Sequence, residues 1–323
     1  MRAVRVEAHG GPEVLVPSEV PEPDVGAEDV LVDVAAAGVN YIDTYLRSGL
    51  YPSTLPTVPG LEGAGTVRAV GSSVSDVAVG DVVAFCDGPG AYAETAAVPA
   101  ARCVPVPPGV SADVAAAVLL QGLTAHVLVH DTYAVRPGDT VLVHAGAGGM
   151  GLLLCQMASS LGATVVATTS TAEKASLARS AGAAHVLGYE GFAEEVRALT
   201  SGDGVAAVYD GVGATTFDGS LASLRVRGVL VLYGAASGPV PPVDPQRLNA
   251  AGSVYLTRPS LGWHVRTTAE LRSRAAEVFA AVADGSLSVR IGARYPLEAA
   301  ADAHRDLEGR ATSGKLLLVP SRG

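Results

Sequence analysis

The stretch VLVHAGAGGMG, residues 141–151, runs from an apolar segment into a glycine-rich turn, and an amphipathic helical segment follows at once. Its glycines fit the pattern G-x-G-x-x-G, which allows a tight turn and a close approach of the backbone to a pyrophosphate. The N-terminus of the following helix adds free N–H groups and the positive end of its dipole. Strand, turn and helix together predict a dinucleotide site, and a tight packing turn is the alternative. The predicted contacts are Gly146, Gly148, Gly149, Met150 and Gly151.

The pattern around this turn extends over residues 124–259, where short apolar runs alternate with helical stretches. Fully apolar strands that alternate with helices are typical of a parallel sheet covered on both faces. This segment is therefore predicted to form a doubly wound α/β domain. The predicted strands are 141–144, 164–169, 186–187, 206–209 and 229–233, and the predicted helices are 152–161 and 172–180.

The segments on either side have a different pattern. Residues 1–123 consist of short strands separated by Gly and Pro, with one helical stretch at 41–47, which indicates a small β-barrel or sandwich. The tail holds a helix over 268–283 and a last strand over 315–319 but no core-sized block, so we expect it to pack onto the first segment. The predicted domains are 1–123 with 260–323, and 124–259.

The end of the second predicted strand carries no carboxylate. The sequence there is ATTSTAEK, residues 167–174, whereas a site selective for NAD places Asp or Glu at this point to accept hydrogen bonds from the ribose 2′-OH. A lysine in the first turn of a helix is disfavoured by roughly 0.3–1 kcal/mol, and a bound 2′-phosphate would reverse that sign. Lys174 and Ser170 are therefore candidates for selecting NADP, and a solvated surface lysine is the alternative.

Three further residues lie at or just after the ends of predicted strands of the same domain, where ligands bind in doubly wound sheets. Tyr189 is a candidate for stacking on or flanking the adenosine, or it packs only at the surface. The small residues of DGVG, which contains Gly211, and of YGA, which begins with Tyr233, leave room for a nicotinamide ring, or they are ordinary loop residues.

Composition limits the classes of function. The 323 residues are 17% charged and 49% hydrophobic, as in a globular protein, and the formal net charge of −10 argues against nucleic-acid binding. The three cysteines form no CxxC pair, which favours a reducing compartment. The sequence shows no apolar run long enough to span a membrane and no apolar signal segment at the N-terminus, so we expect a cytoplasmic protein.

Metal-ligand spacing is absent from the sequence. The seven histidines and three cysteines form no ligand pattern, and PGLEGAG, residues 59–65, has Leu61 where zinc alcohol dehydrogenases carry a histidine ligand. We therefore predict that the chain binds no metal. Without one, a hydride acceptor must already be electrophilic, as a quinone or a carbonyl-conjugated alkene is.

Motifs spread over the whole chain resemble the zinc-independent quinone oxidoreductases related to zeta-crystallin, which are medium-chain dehydrogenase/reductases. The motifs are VNYIDTYLRSGLYP, PGLEGAG, QGLTA, HAGAGGMG, TAEK, TRPSL and RATSGK, in the same order and spacing. The resemblance implies a GroES-like β-barrel catalytic domain, a Rossmann domain, a cleft between them and NADPH as hydride donor. It also implies a homodimer joined through the Rossmann sheets near residues 253–257.

The resemblance also assigns residues by position. Asn40 and Tyr45 would face the nicotinamide and the substrate, Tyr51 would line the substrate pocket and Thr124 would touch the cofactor. The stretch RATSGK would close over the cofactor, with Lys315 as a contact. The alternative to these roles is structural. Asn40 would then act only as the N-cap of the following helix, and Tyr45 and Tyr51 would act only in packing.

The function that these features predict is NADPH-dependent reduction of a quinone without a metal. Reduction of the C=C bond of an enone, alkenal or enoyl thioester uses the same hydride, and the sequence leaves it open. An alternative of another class is a non-catalytic NADPH-binding protein with a structural or regulatory role. The expected partners are a small quinone or enone and a second copy of the chain, with neither nucleic acid nor membrane.

Overall fold

The structure is a computed structural model that describes residues 1–86, 88 and 90–321. The chain divides into two compact units, one formed by Met1–Leu123 together with the segment from Val265 onward, the other by Thr124–His264. The sequence analysis placed the second boundary between residues 259 and 260. Positions 87, 89, 322 and 323 of the predicted first domain lie outside the described residues.

The described residues form strands and helices in the following chain order. The strands are β1 (Arg2–Arg5), β2 (Val16–Glu19), β3 (Asp29–Val39), β4 (Glu62–Val70), β5 (Val82–Phe85), β6 (Thr95–Pro99), β7 (Val104–Pro105), β8 (Thr140–Val143), β9 (Thr164–Thr168), β10 (Ala183–Leu187), β11 (Val205–Asp210), β12 (Leu224–Leu232), β13 (Tyr255–Thr257), β14 (Ile291–Pro296) and β15 (Lys315–Val319). The α-helices are α1 (Tyr41–Ser48), α2 (Ala112–Val127), α3 (Gly149–Ser160), α4 (Ala172–Ser180), α5 (Phe192–Leu199), α6 (Phe217–Ala222), α7 (Gln246–Ala250), α8 (Thr268–Ala283) and α9 (Ala300–Glu308).

The first unit is built on a sheet with the strand order β14–β15–β3–β4–β5–β7, beside a separate β1–β2 pair. The long strand β3 pairs with β15 at one end and with β6 at the other, so the C-terminal strand completes the sheet begun by the N-terminal segment. Apolar side chains from these strands fill one core, which includes Val30, Val32, Phe85, Val98 and Leu316. The short, turn-separated strands that the sequence predicts are thus present and share one sheet and one core.

The second unit contains a parallel sheet with the order β10–β9–β8–β11–β12–β13. Every residue of β11 is buried, and all of them except Asp210 at its end are apolar, as expected for a strand inside a parallel sheet. The strand order reverses between β8 and β11, and ligands in sheets of this class bind beside the carboxyl ends of the strands at such a reversal. The doubly wound prediction is confirmed.

Helix α2 corrects the sequence analysis, which interpreted residues 1–123 as strands with one helical stretch. Its alanines and leucines favour helix, but the segment is apolar on nearly all sides and gives no 3.6-residue period to detect. By length and composition, the helical stretch Ala112–Thr132 is able to cross a membrane. However, 67% of its most apolar window is buried inside the protein, which is expected of a core helix.

Candidate functional site

Close packing requires glycine at two positions of the turn between β8 and α3. A Cβ atom on Gly151 would lie 2.2 Å from the carbonyl oxygen of Ala145, and one on Gly146 would lie 2.7 Å from the Cβ of Ala167. Both distances are too short for any side chain, so these two positions require glycine for the turn to form. The pattern that predicted a ligand site therefore also has a purely structural reason at these positions.

Helix α3 begins inside this motif. Gly148 is its N-cap, and Gly149 and Met150 are its first two residues, whereas the sequence predicted a start at residue 152. The N–H groups of a first helical turn have no partners within the helix, and they lie at the positive end of its dipole. The motif therefore presents backbone donors suited to a pyrophosphate.

The end of β9 carries hydroxyl groups and one ammonium group. Thr171 is the N-cap of α4, and its side chain accepts a hydrogen bond of 3.2 Å from the backbone N–H of Lys174. Lys174 is partly exposed in the first turn of α4, and Ser170 is exposed. Glu173 stands in the same turn, where hydrogen bonds from its own backbone N–H and from Thr171 lower the pKa of its carboxyl. The donors at this strand end suit a ribose 2′-phosphate.

A chain of buried side chains links the carboxyl ends of three strands in this unit. His144, directly after β8, has its Nδ1 2.9 Å from Oγ1 of Thr168 and its Nε2 2.9 Å from Oγ of Ser220. Ser220 donates to Oδ2 of Asp210 at 2.7 Å. The ring of Tyr189 stacks on that of His144, with centroids 6.2 Å apart and planes at 17°. Burial lowers the pKa of His144 to about 4, so the ring is neutral near pH 7.

Asp210 organises the turn that follows β11. Its Oδ1 accepts hydrogen bonds from the backbone N–H groups of Val212 at 2.8 Å and Gly213 at 3.0 Å. The ring of Tyr233 packs against Gly211, where a Cβ atom would lie 2.7 Å from the ring. The structure thus brings together Gly211 and Tyr233, two predicted site residues from different loops.

In the first unit, Asn40 is the N-cap of α1 and its side-chain amide is fully hydrogen-bonded. Its Oδ1 accepts from Nζ of Lys315 at 2.5 Å and from Nε2 of Gln121 at 3.3 Å. Its Nδ2 donates to Oε2 of Glu62 at 2.8 Å and to the carbonyl oxygen of Gly38 at 3.3 Å. An amide has two acceptor and two donor sites, so all four are used within the protein.

Glu62 and Lys315 form a buried ion pair beside Asn40. Oε2 and Nζ are 2.5 Å apart, and the two side chains are 0% and 1% exposed. Oε1 of Glu62 also accepts a hydrogen bond of 2.7 Å from the backbone N–H of Leu120. Lys315, which the resemblance placed among the cofactor contacts, therefore lies in the interior. The sequence analysis did not identify Glu62, although a lone acid in PGLEGAG and a lysine at the start of KLLLV are charges in buried strands that need partners.

A second buried histidine, His304 of α9, belongs to a polar network around α1. Its Nδ1 is 3.0 Å from Nη1 of Arg47 and its Nε2 is 3.0 Å from the hydroxyl of Tyr92. Tyr92 donates to Oδ2 of Asp43 at 3.1 Å, and Arg47 forms an ion pair of 2.8 Å with Glu308. Burial lowers the pKa of His304 to about 3 and raises that of Asp43 to about 6. The sequence analysis identified none of these residues.

Aromatic rings cluster on α1 and directly after it. The ring centroid of Tyr45 lies 5.2 Å from that of Tyr51, edge to face, and 6.2 Å from that of Tyr41. The structure therefore brings together Tyr45 and Tyr51, the two predicted tyrosines. Thr124, the remaining predicted contact, lies in α2 and is partly exposed.

The His, Cys, Asp and Glu side chains of the described residues are the potential metal ligands. No group of three or more of these described side chains is placed to hold a metal ion. Cys86, Cys103 and Cys155 are buried thiols that are not joined in disulfides.

Comparison with known proteins identifies the family. One family model, described as an alcohol dehydrogenase GroES-like domain, matches residues 26–108, and another, described as a zinc-binding dehydrogenase, matches residues 149–277. A quinone oxidoreductase of Pseudomonas aeruginosa is 44% identical over 323 residues, which cover 99% of each chain. This chain belongs to the quinone oxidoreductase family. The resemblance stated from the motifs and the GroES-like prediction for the first domain are confirmed.

Further relatives and solved structures match along nearly the whole chain. A 2-haloacrylate reductase of a Burkholderia species is 40% identical, over 98% of each chain. The solved structure of a mycobacterial protein complexed with NADPH is 56% identical, with a TM-score of 0.97 over 99% of this chain and 100% of that one. The structure of Escherichia coli quinone oxidoreductase complexed with NADPH is 41% identical, with a TM-score of 0.97 over the same shares.

Proposed function

We propose that this chain transfers hydride from NADPH to a quinone without the help of a metal ion. The observation that carries the proposal is its likeness, along nearly the whole chain, to solved structures of relatives complexed with NADPH, one of them named as a quinone oxidoreductase. A quinone is electrophilic as it stands. The protein therefore has to hold donor and acceptor in a reactive arrangement, which contributes to rate by itself.

The residues at the carboxyl ends of β8 and β9 fit NADPH. The backbone N–H groups at the start of α3 would hold the pyrophosphate, and Lys174 with Ser170 would hold the 2′-phosphate. When bound, NADPH supplies the hydride. An anion at Lys174 would also offset the unfavourable position of an ammonium group at a helix N-terminus. Further contacts that we propose are Thr124, Tyr189, Gly211 and Tyr233.

Tyr45 and Tyr51 are the proposed wall for the acceptor. Their edge-to-face rings provide an apolar surface suited to a flat conjugated molecule. Asn40 supports this wall indirectly, because its amide is fully used within the protein and its backbone N–H donates to Asp43 in the first turn of the helix that carries Tyr45. Lys315 acts in the same indirect way by holding Asn40 and Glu62.

The test compares NADPH and NADH oxidation with 1,4-benzoquinone and 9,10-phenanthrenequinone, in the wild type and in Lys174→Ala. We expect turnover with NADPH, and a KM for NADPH raised about tenfold or more in the variant, because a charge-assisted hydrogen bond is lost. The kcat at saturating NADPH and the KM for NADH should stay unchanged.

Arg179→Ala is the matched control for Lys174→Ala. Arg179 is exposed in the last turn of α4, so the control removes the same charge from the other end of the same helix. Its KM for NADPH should equal that of the wild type. Equal use of NADH together with no effect of Lys174→Ala would contradict the 2′-phosphate site, and the absence of turnover on any quinone would contradict the reaction.

Reduction of a conjugated C=C bond is the second candidate, and the similarity to a 2-haloacrylate reductase favours it. A simple enone and an acrylate added to the same assay separate the two reactions. Turnover of these substrates alone would make the chain a C=C reductase. Tight NADPH binding without turnover of any acceptor would instead favour a structural or regulatory role.

We further propose a homodimer joined at β13. This strand is at the edge of its sheet, and an edge strand offers N–H and C=O groups to a second chain. Tyr255 on this strand is 60% exposed, and Val226 on the neighbouring strand β12 is 67% exposed. These side chains give the edge an apolar surface that a second chain would cover. Light scattering after size exclusion should give a dimer for the wild type and a monomer for Tyr255→Arg. A monomeric wild type would contradict the proposal.

We also propose that the protein is cytoplasmic and that it does not bind nucleic acid. The net charge of −10 supports the second point, since an acidic surface repels phosphate backbones. A gel-shift experiment with RNA at low salt should show no complex. A tight complex that weakens steeply with salt would contradict this part of the proposal.

A further inference from the structure

His144 lies between two parts of the proposed cofactor site, the glycine-rich motif that follows it in the chain and Tyr189, on which its ring stacks. We propose that His144 is a positioning residue for the adenosine end of NADPH and that it acts through the ring of Tyr189. This inference rests on the proposed NADPH site. It gives a role to a buried polar side chain that the proposed mechanism does not use.

The hydrogen bonds around His144 have a fixed direction. The carboxylate of Asp210 only accepts, so the hydroxyl hydrogen of Ser220 is directed to it at 2.7 Å. Ser220 must then accept from Nε2–H of His144 at 2.9 Å. The other nitrogen of a neutral imidazole is an acceptor, so Thr168 donates to Nδ1 at 2.9 Å. His144 is thus held as the Nε2–H tautomer, and its lowered pKa keeps it neutral.

These two hydrogen bonds also fix the plane of the ring. Tilting the imidazole about its Cβ–Cγ bond would turn Nδ1 and Nε2 away from the hydroxyls of Thr168 and Ser220, leaving buried polar atoms without partners at a cost of about 1–3 kcal/mol each. The imidazole ring packs edge-on against the ring of Phe192, with the ring centroids 4.9 Å apart. It lies nearly parallel to the ring of Tyr189. A ring without nitrogen atoms would keep the packing of an aromatic side chain but would lose both hydrogen bonds that set this plane.

Tyr189 receives its orientation from this fixed ring. It follows β10 and is only partly exposed, with its ring at 17° to the plane of His144. Tyr189 is also the residue proposed to flank the adenosine. The ring plane that meets the adenosine is therefore set by the chain from Thr168 through His144 and Ser220 to Asp210.

The test measures the dissociation constants of NADPH and of 2′,5′-ADP by calorimetry in the wild type and in His144→Phe. The variant keeps a ring but loses both hydrogen bonds. We expect both constants to rise by the same factor, roughly two- to tenfold, which is the range of a single aromatic contact. The kcat at saturating NADPH should stay at the wild-type value, whereas general damage to the unit would lower it.

A double-variant cycle decides whether the effect passes through Tyr189. In a Tyr189→Leu background, His144→Phe should cause no further loss of affinity. Additive losses would overturn the inference, because His144 would then act by another route.

Ser220→Ala provides an independent variant in case His144→Phe does not fold. It removes the acceptor of the Nε2–H group and should weaken 2′,5′-ADP binding only while Tyr189 is present. Ser223→Ala is the matched control, because Ser223 is a buried serine at the end of the same helix that bonds to the carbonyl oxygen of Gly219 at 2.8 Å instead. We expect it to leave both constants unchanged.

The outcomes also separate this inference from the proposed function. A wild type that binds neither NADPH nor 2′,5′-ADP would overturn both. A wild type that binds and reduces quinones, combined with a folded His144→Phe variant of unchanged affinity, would overturn only the role of His144.

Discussion

Replacing Lys315 by methionine is expected to destabilise the first unit by about 3–5 kcal/mol, the usual effect of removing one partner of a buried ion pair. The ammonium lies 2.5 Å from Oε2 of Glu62, and the side chains are 1% and 0% exposed. Without it, the carboxylate keeps the neutral donors of Asn40 at 2.8 Å and Leu120 at 2.7 Å, which do not offset the desolvation of a full charge. The loss is a large share of a typical folding free energy of about 5–15 kcal/mol.

Urea unfolding followed by circular dichroism measures this loss, and hydrogen exchange of peptides from β3, β4 and β15 locates it. Fluorescence is less suitable because the single tryptophan, Trp263, lies in the other unit. Lys174→Met is the matched control and should change stability by less than about 0.5 kcal/mol. Glu62→Gln combined with Lys315→Met should recover much of the loss, since no buried charge is left alone. A Lys315→Met variant as stable as Lys174→Met would refute the reasoning.

Two further predictions concern the second unit and the response to acid. Gly151→Ala should abolish NADPH binding and lower the melting temperature, because its Cβ would lie 2.2 Å from the carbonyl oxygen of Ala145. A Cβ on Gly188 would have no atom within 4 Å, so Gly188→Ala should leave both the calorimetric affinity for NADPH and the melting temperature unchanged. The stability that His144 and His304 contribute should be complete above pH 6.5 and fall below it, because burial lowers the pKa of His144 to about 4 and that of His304 to about 3, so the unfolded chain binds more protons than the folded one. Asp43, with its pKa raised from 3.8 to about 6, acts in the opposite sense, since its contribution is present below pH 3.8 and is lost as pH rises through 6. Urea midpoints between pH 4 and 7 check this, and His144→Phe should show a shallower dependence on pH.

The glycine-rich turn and the position of Lys174 were predictable because the information is contiguous in the chain. A strand, a turn and a helix succeed one another within residues 140–160, and each imposes its own local pattern. The helix that carries Lys174 was likewise predicted at residues 172–180, where α4 is found. Helix α2 was missed for the converse reason, since a helix that is apolar on nearly all sides has no period by which it is distinguished from a strand.

The buried polar networks were not predictable in the same way. His144 and Ser220 are 76 residues apart, and Asn40 and Lys315 are 275 residues apart. A local pattern shows that a buried polar group needs a partner, but only the packing of distant elements decides which partner it meets. For this reason Asn40 was correctly expected at the start of a helix, while the saturation of its amide was visible only in the structure.

The burial of Lys315 decides which lysine of this chain reacts with a chemical label. The sequence contains two lysines, and with Lys315 enclosed in its ion pair, Lys174 is the lysine that an amine-reactive reagent meets on the folded protein. A dye or a surface tether is therefore directed to one known point of the fold, and immobilised molecules would share a single orientation.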